Sequence, residues 1–221
     1  LVPAQSTLED FRLLVMDMDS TLINIECLDE MADFCGRKAE VAAMTEAAMR
    51  DATMDFARSL KQRLALLAGV SEDILQHVYQ ERLQLSLGAQ TLLQAVKKVG
   101  MKTLLVSGGF TFFTEKLQQQ LGLDFVRANT LEVRDGKLTG RVMGDIVDAQ
   151  LKAHTVEKTC ATLNISPRQA IVIGDGSNDL KMMSIAGLSV AFRAKPVVRA
   201  RAAMALNFVG LDGVLQALGT A

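Results

Sequence analysis

The chain has 221 residues, 49% of them hydrophobic, which is enough to bury a full core in one domain or in one domain carrying an insertion. Its 24 basic and 25 acidic side chains leave a formal charge of -1, so neither nucleic acid nor an anionic membrane finds an electrostatic handle. No apolar run approaches the ~18 residues that span a bilayer, and the start, LVPAQSTLED, lacks the basic-then-apolar order of a secretory signal, so a soluble, cytoplasmic protein is expected.

Strand-like runs over residues 12–17, 102–106, 170–174 and 188–192 alternate with helical patterns, which argues for an α/β fold with a doubly wound parallel sheet. The first run, RLLVMDMDSTL, carries an apolar strand straight into two carboxylates and two hydroxyls. In an extended chain, residues two apart share a side, so Asp17 and Asp19 are expected to face one small volume while Met16 and Met18 pack the other way. Two carboxylates that close repel each other until a cation or a shared proton intervenes, which points to a divalent metal. Taken alone, the segment also reads as a strand end with an Asp/Ser/Thr turn.

Residues 26–87 have almost no strand signal and are rich in Ala, Leu, Met, Glu and Arg. They read as a helical cap inserted after the first strand, leaving residues 1–25 and 88–221 as the α/β core. Glu26 falls at an expected helix start, where the dipole stabilises an acid whatever else it does. Farther on, Phe56, Leu60, Arg63 and Leu67 are spaced so that Arg63 lies within an apolar helix stripe, with Arg58 well away from it. A guanidinium there needs an anion. An internal partner, Glu26 or Asp55, and a ligand are equally compatible with the spacing.

The segment TLLVSGGFTFF reads as a strand stopping at small residues that open a helix, with Ser107, Gly108 and Gly109 offering a hydroxyl and N–H groups to an anion. Ser107 alone would also serve as a helix N-cap. Between Leu123 and Ile146, the Asp135-Gly136 pair predicts a β-hairpin, a small flap beside the sheet. A helix then begins at DAQLKAH, its apolar side including Ala149, Ala153, Val156, Cys160 and Leu163. Lys152 borders that side close to the helix start, a poor place for a cation unless an anion is near; alone, it would be a solvated lysine. In AIVIGDGSNDL a buried strand ends at Asp175, with Asn178 and Asp179 just behind. Cys27, Cys35 and Cys160 are odd in number and form no CxxC pair, so reduced thiols are expected rather than disulfides or a zinc site. His77 and His154 are assigned to the surface.

DMDST, SGG, a lone lysine and GDGSND, in that order, resemble the four motifs of the haloacid dehalogenase superfamily of phosphotransferases. The run DSTLINIECLDEMADFCG, with SGGF, GDIVDAQLKA and IGDGSNDLKMM, is similar to a branch of that superfamily acting on a phosphorylated amino acid. The likeness covers nearly the whole chain from about Arg12. It implies a Rossmann-like core with a specificity-bearing cap, and a two-step transfer in which Asp17 attacks phosphorus and Asp19 serves as acid and then base. It implies Mg2+ held by the Asp17 carboxylate, the Asp19 backbone carbonyl and the Asp175 carboxylate. Lys152, Ser107 and the Gly108 N–H would bind phosphate oxygens, with Gly109 in the same loop, and Thr21 and Asn178 would position the phosphate. Asp179 would hold Lys152 or a metal-bound water.

The same resemblance matches Glu26 to the substrate ammonium and Arg63 to its carboxylate, with Met49 and Phe56 as the apolar wall. The implied substrate is O-phospho-L-serine, and the reaction would be the last step of serine synthesis. Phosphothreonine or phosphohomoserine chemistry is the first alternative, a phosphoacceptor signalling module the second. The expected partner is a small molecule, with no nucleic acid and no membrane, and the chain is expected to be a monomer or homodimer.

Overall fold

The computed structural model describes residues 6–50 and 55–219, apart from the side chain of Met49. The elements run β1 (Leu13–Met16), α1 (Cys27–Asp33), α2 (Lys38–Arg50), α3 (Phe56–Ala65), α4 (Asp73–Glu81), α5 (Ala89–Lys98), β2 (Lys102–Phe110) and α6 (Thr111–Leu121). The chain continues through β3 (Phe125–Arg134), β4 (Lys137–Met143), α7 (Ala149–Thr162), β5 (Ala170–Gly174), α8 (Leu180–Ile185), β6 (Leu188–Phe192), α9 (Pro196–Arg199), β7 (Met204–Leu206) and α10 (Gly213–Ala217).

Seven strands form one sheet in the order β4-β3-β2-β1-β5-β6-β7. All neighbours are parallel except the β3/β4 pair at the edge. The sequence LLVM explains the central place of β1: with no polar residue in the run, both of its faces must be covered, and every residue is buried. Leu14 and Met16 join one apolar cluster with Leu105, Ile171 and Ile173, while Leu13 and Val15 join another on the opposite face with Leu104, Val106 and Val172. The expected doubly wound sheet is therefore present, and its four expected strands are β1, β2, β5 and β6.

Two features of the sequence reading are refined. β2 runs on through Ser107, Gly108 and Gly109 to Phe110, so the helix opens at Thr111 rather than at the glycines. Phe110 is buried in extended conformation at the helix N-cap, which carries the strand past the small residues. The hairpin turning at Asp135 and Gly136 forms, but it is not separate from the sheet: β3 pairs parallel to β2 as well as antiparallel to β4. It also meets the helical insertion. Gly69 N–H donates to Leu138 O and Leu138 N–H to Val70 O, both at 2.8 Å. Gly140, at φ +78°, packs so close to α3 that a Cβ would lie 3.0 Å from Leu64 O.

Among the described residues, helices α1 to α4 fill the stretch between β1 and α5 without a strand of their own. The segments that leave and rejoin the sheet run side by side: Ile23 and Leu85 form an antiparallel bridge, Asn24 N–H donates to Gln84 O (3.0 Å) and Ser86 N–H to Leu22 O (2.9 Å). Among the described residues no helix is long and apolar enough to cross a membrane, and the three cysteines are free.

The central strands β1 and β5 are buried throughout. Ile173, fully buried between β1 and β6, should cost about 2–5 kcal/mol when cut to alanine, read as a lower denaturation midpoint at unchanged slope. A loss below about 1 kcal/mol would mean that β5 is not the core strand described.

Candidate active site

The chain leaves β1 for β2 on one flank and later returns to β5 on the other, and the C-terminal ends of these three strands open onto one crevice. β1 ends at Met16, and Asp17 follows in extended conformation, 5% exposed. The next residues do not continue the strand. Met18–Leu22 form one wide helical turn, closed by Leu22 N–H to Asp17 O and Ile23 N–H to Met18 O, with Ser20 at φ 55°. The strand alternation expected for Met16 and Met18, and for Asp17 and Asp19, is thus corrected. Both methionines are fully buried, and Asp19 reaches the cavity of Asp17 because the turn folds it back. A hydrogen bond from Met18 N–H to Asp17 Oδ1 (2.7 Å) fixes the start of that turn.

Lys152, in the first turn of α7, is not at the border of the apolar side but completely buried. Its Nζ lies 2.9 Å from Asp17 Oδ1 and 2.8 Å from Asp179 Oδ1, so the anion that its helix position called for is a pair of carboxylates. Asp179 is held in turn by the N–H groups of Asp175 and Gly176, each 3.1 Å from its Oδ2. Asp175 follows β5 directly, and its Oδ1 accepts from the Thr21 hydroxyl at 3.2 Å. From β2, Ser107 Oγ accepts the Gly109 N–H (2.8 Å), which leaves the serine's own proton free to donate. A Cβ on Gly109 would lie 2.6 Å from Asp19 Oδ2 and 3.0 Å from Ser107 Oγ, so glycine keeps the space between those two groups open.

Residues at and in α1 and α3 also line the crevice. Phe56 sits so near Gly108 that a Cβ there would meet its ring at 2.6 Å. Arg63 is 3% exposed, yet neither partner allowed by the spacing pairs with it. Asp55 caps α3 by accepting the Arg58 N–H (3.0 Å), and Glu26 accepts the Ser20 hydroxyl (2.6 Å). Arg63 Nη1 instead donates to Thr45 Oγ1 (2.9 Å), Nε to Ser59 O (3.3 Å), and Nη2 has no partner. Among the described residues, hydrogen bonds from Lys195 Nζ to Glu46 Oε2 (2.5 Å) and from Ser177 Oγ to Ala48 O (3.2 Å) join α2 to the segments after β6 and β5.

Asp17, Asp19, Glu26, Phe56, Arg63, Ser107, Gly108, Gly109, Asp175 and Asn178 line one cavity of about 30 Å3, with Leu28, Leu60 and Phe110. Lys152, Thr21 and Asp179 stand behind it through the bonds above, while the side chain of Met49 lies outside the described residues. A groove of about 1090 Å3 between α3, β4 and the start of α7 is far larger, but it touches neither Asp17 nor Asp175. His77 and His154 are exposed, as expected.

Not anticipated were Ser20, which holds Glu26, Asn129, Lys195, and the pair Asp29 and Thr45 behind Arg63. Asn129 donates to Gly108 O (2.7 Å) and accepts the Val147 N–H (2.8 Å). For Thr45 a signal existed: Val41, Thr45 and Ala48 lie at helical spacing and all three are buried, so a hydroxyl on that stripe needs a partner. Nothing local distinguished Asn129 or Lys195, whose partners are distant in sequence.

Oxygen ligands of Asp17, Asp175 and Asp179 lie within 4.8 Å of one another, all buried. Burial, followed by the charges of Asp179 and Asp175, pushes the Asp17 carboxyl well up against the pull of Lys152. Burial and Asp179 raise Asp175 to about 7, and burial raises Asp19 against the Cys27 hydrogen bond. Glu26 is also pushed well up, by burial and then by Asp19. For Lys152 burial opposes the charged form, but Asp17 and Asp179 reverse this and raise it. One ammonium thus faces three carboxylates, an excess of negative charge that suits a hard divalent cation with oxygen ligands. The buried Asn178 Oδ1, which has no partner, is a further oxygen on the cavity wall.

The chain matches the haloacid dehalogenase-like hydrolase family over residues 14–184. It is 57% identical to a phosphoserine phosphatase of Polaromonas sp. over 95% of this chain and 90% of that protein. It is 48% identical to that of Idiomarina loihiensis over 93% of each. Among solved structures, a phospho-aspartyl intermediate analogue of phosphoserine phosphatase superposes with a TM-score of 0.90 at 34% identity, covering 94% of this chain and 99% of that one. A substrate-bound phosphoserine phosphatase complex gives 0.89 at 34% identity over 94% and 98%.

The raised carboxylates fix the sign of a pH dependence. Asp175, at about 7 in the fold and 3.8 when free, binds its proton more tightly folded than unfolded, so stability falls as pH rises between those values. Glu46 and Asp124, held below their ordinary values, act oppositely but only below about pH 4.5. Protein stripped with EDTA should therefore lose Tm between pH 5 and 8, and added MgCl2 should raise Tm more at pH 8 than at pH 5. A flat EDTA profile across that window would show that the carboxylates are not in conflict.

Proposed function

The chain belongs to the haloacid dehalogenase-like hydrolases, and we propose that it hydrolyses O-phospho-L-serine to L-serine and phosphate with Mg2+ as its cofactor. One observation carries the substrate assignment: Arg63, buried, with Nη2 unpartnered, shares a cavity with Glu26 and the aspartates. A guanidinium for a carboxylate and a carboxylate for an ammonium, across from a phosphate site, is the complement of a phosphorylated amino acid. In this reading residues 26–87 form a substrate-selecting cap over a core of residues 1–25 and 88–221.

The geometry supports a role for each of these residues. Asp17 Oδ1 is engaged by Lys152 and the Met18 N–H, so its Oδ2 is the atom that attacks phosphorus. As the new O–P bond forms, the ester P–O bond breaks with its electron pair on the serine oxygen, which takes a proton from Asp19. A water then attacks the aspartyl phosphate, surrenders a proton to Asp19, and returns the Asp17 carboxylate. Asp19 Oδ1 is fixed by the Cys27 N–H (2.9 Å), leaving Oδ2 to carry that proton beside Gly109. Lys152, the Ser107 hydroxyl and the Gly108 N–H receive the phosphate oxygens, and Thr21 and Asn178 complete their placement.

Asp19 must be neutral and Asp17 ionised for this division of labour, yet burial and neighbouring carboxylates push Asp17 up more strongly. The residues that would hold Mg2+ are the Asp17 carboxylate, the Asp19 carbonyl and the Asp175 carboxylate, with Asp179 beside them bonded to Lys152 and two backbone N–H groups. When bound, the ion supplies positive charge that keeps Asp17 ionised and offsets its repulsion from a phosphate dianion. Three free thiols agree with a reducing, cytoplasmic setting.

Phosphate release should be Mg2+-dependent and strongest for phosphoserine within a panel that includes phosphothreonine, phosphohomoserine and small sugar phosphates, and Asp17→Asn should abolish it. Preference for a sugar phosphate would leave the phosphatase core standing and remove the roles of Glu26 and Arg63. Arg63→Ala should lower kcat/KM for phosphoserine at least tenfold more than for p-nitrophenyl phosphate, which has no amino-acid end. Equal losses on both would take Arg63 out of substrate selection.

A further inference from the structure

Holding a buried cation ready for a ligand poses a conflict. Unpaired, the guanidinium of Arg63 is costly to desolvate; paired in the usual way, with a carboxylate gripping two of its nitrogens, it would have no edge left for substrate. Burial does lower its pKa, and Asp29 is the carboxylate that most supports its charge. Asp29 nevertheless makes no ion pair with it. A threonine hydroxyl stands between the two: Arg63 Nη1 donates to Thr45 Oγ1 at 2.9 Å, and Thr45 Oγ1 donates to Asp29 Oδ1 at 2.6 Å. Val41 O, 3.1 Å from the same hydroxyl, is the weaker acceptor of its single proton. The directions agree along the chain, because a hydroxyl that gives its proton to a carboxylate turns its lone pairs toward the guanidinium, and each bond polarises the next.

We propose that Thr45 and Asp29 are positioning residues that hold Arg63 in its substrate-binding pose through this hydroxyl relay, supporting its charge while leaving Nη2 free. The inference rests on the reading that Arg63 receives the substrate carboxylate. The relay joins three helices: Asp29 on α1, Thr45 on α2 and Arg63 on α3. Nε, bonded to Ser59 O one turn earlier, pins the guanidinium from the other side, so rotation of the fork is opposed at two points. The orientation of the selecting group is therefore a property of the packed helices, carried with them as one unit.

The test compares Thr45→Val, Thr45→Ser, Asp29→Asn and Arg63→Ala in the Mg2+-loaded enzyme, on phosphoserine and on p-nitrophenyl phosphate. A hydrogen bond to a charged group is worth about tenfold or more, so Thr45→Val should raise KM for phosphoserine by that factor while kcat changes far less. The ratio of kcat/KM between the two substrates should fall about tenfold, Thr45→Ser should recover most of it, and Asp29→Asn should reproduce the loss in part. Thr45→Val with an unaltered ratio, while Arg63→Ala lowers it, would reject the relay and leave the Arg63 reading intact. An unaltered ratio in Arg63→Ala would reject both. Should Thr45→Val not fold, Asp29→Asn, on a partly exposed side chain, decides alone: an unaltered ratio overturns the relay.

Discussion

The buried ammonium of Lys152, between the carboxylates of Asp17 and Asp179, is the interaction around which the site is arranged. It joins the ends of three elements that are far apart in sequence: the turn after β1, the first turn of α7 and the loop after β5. Removing either partner of such a pair leaves an uncompensated charge where water cannot reach it, which is why breaking a buried pair costs several times what a surface pair contributes. Asp179 secures the arrangement from behind, since its second oxygen is taken by two N–H groups of its own loop. The geometry of Asp17 is thus set by groups that themselves have little freedom.

Much of this was legible in the sequence because the relevant residues lie where a regular pattern breaks. Apolar strands end abruptly at Asp17, Ser107 and Asp175, and a sheet wound both ways from β1 brings those three ends together. Lys152 announced itself by being a cation at the wrong end of a helix, and Arg63 by interrupting an apolar stripe. The local path of the chain was less legible. Whether Asp19 stays on the strand or is folded back depends on Ser20 adopting a left-handed backbone, and whether Gly108 and Gly109 begin a helix depends on where Phe110 finds its burial. Neither is decided by propensity within a few residues.

Least legible were contacts across large sequence separations. The hairpin around Asp135-Gly136 could be predicted, but not that β3 would extend the main sheet or that β4 would support the loop between α3 and α4. Asn129 tethers both Gly108 and Val147, and Lys195 reaches Glu46 across 149 residues, with nothing in their neighbourhoods to mark them. The hairpin thereby ties the sheet edge to the helices above the crevice, so the two parts of the molecule meet along the hairpin as well as at the crevice itself.

The cavity of about 30 Å3 has room for only one or two waters. A phosphorylated amino acid is larger than that volume, so in the proposed reading its entry requires the walls of the cavity to move apart. The polar ties of the helices to the rest of the molecule are of two kinds: backbone hydrogen bonds of Gly69, Val70 and Glu72 with the β3/β4 hairpin, and side-chain contacts of α2. Lys195 and Glu46 are 27% and 41% exposed, a pair of the kind worth about 0–1 kcal/mol, and the Ser177 hydrogen bond adds about as much again. Of the two sets, the α2 contacts are the ones that separate most readily. In the proposed reading, parting on that side would exchange the contents of the site on each cycle, and the waiting time for it, rather than bond-breaking, would be free to govern throughput.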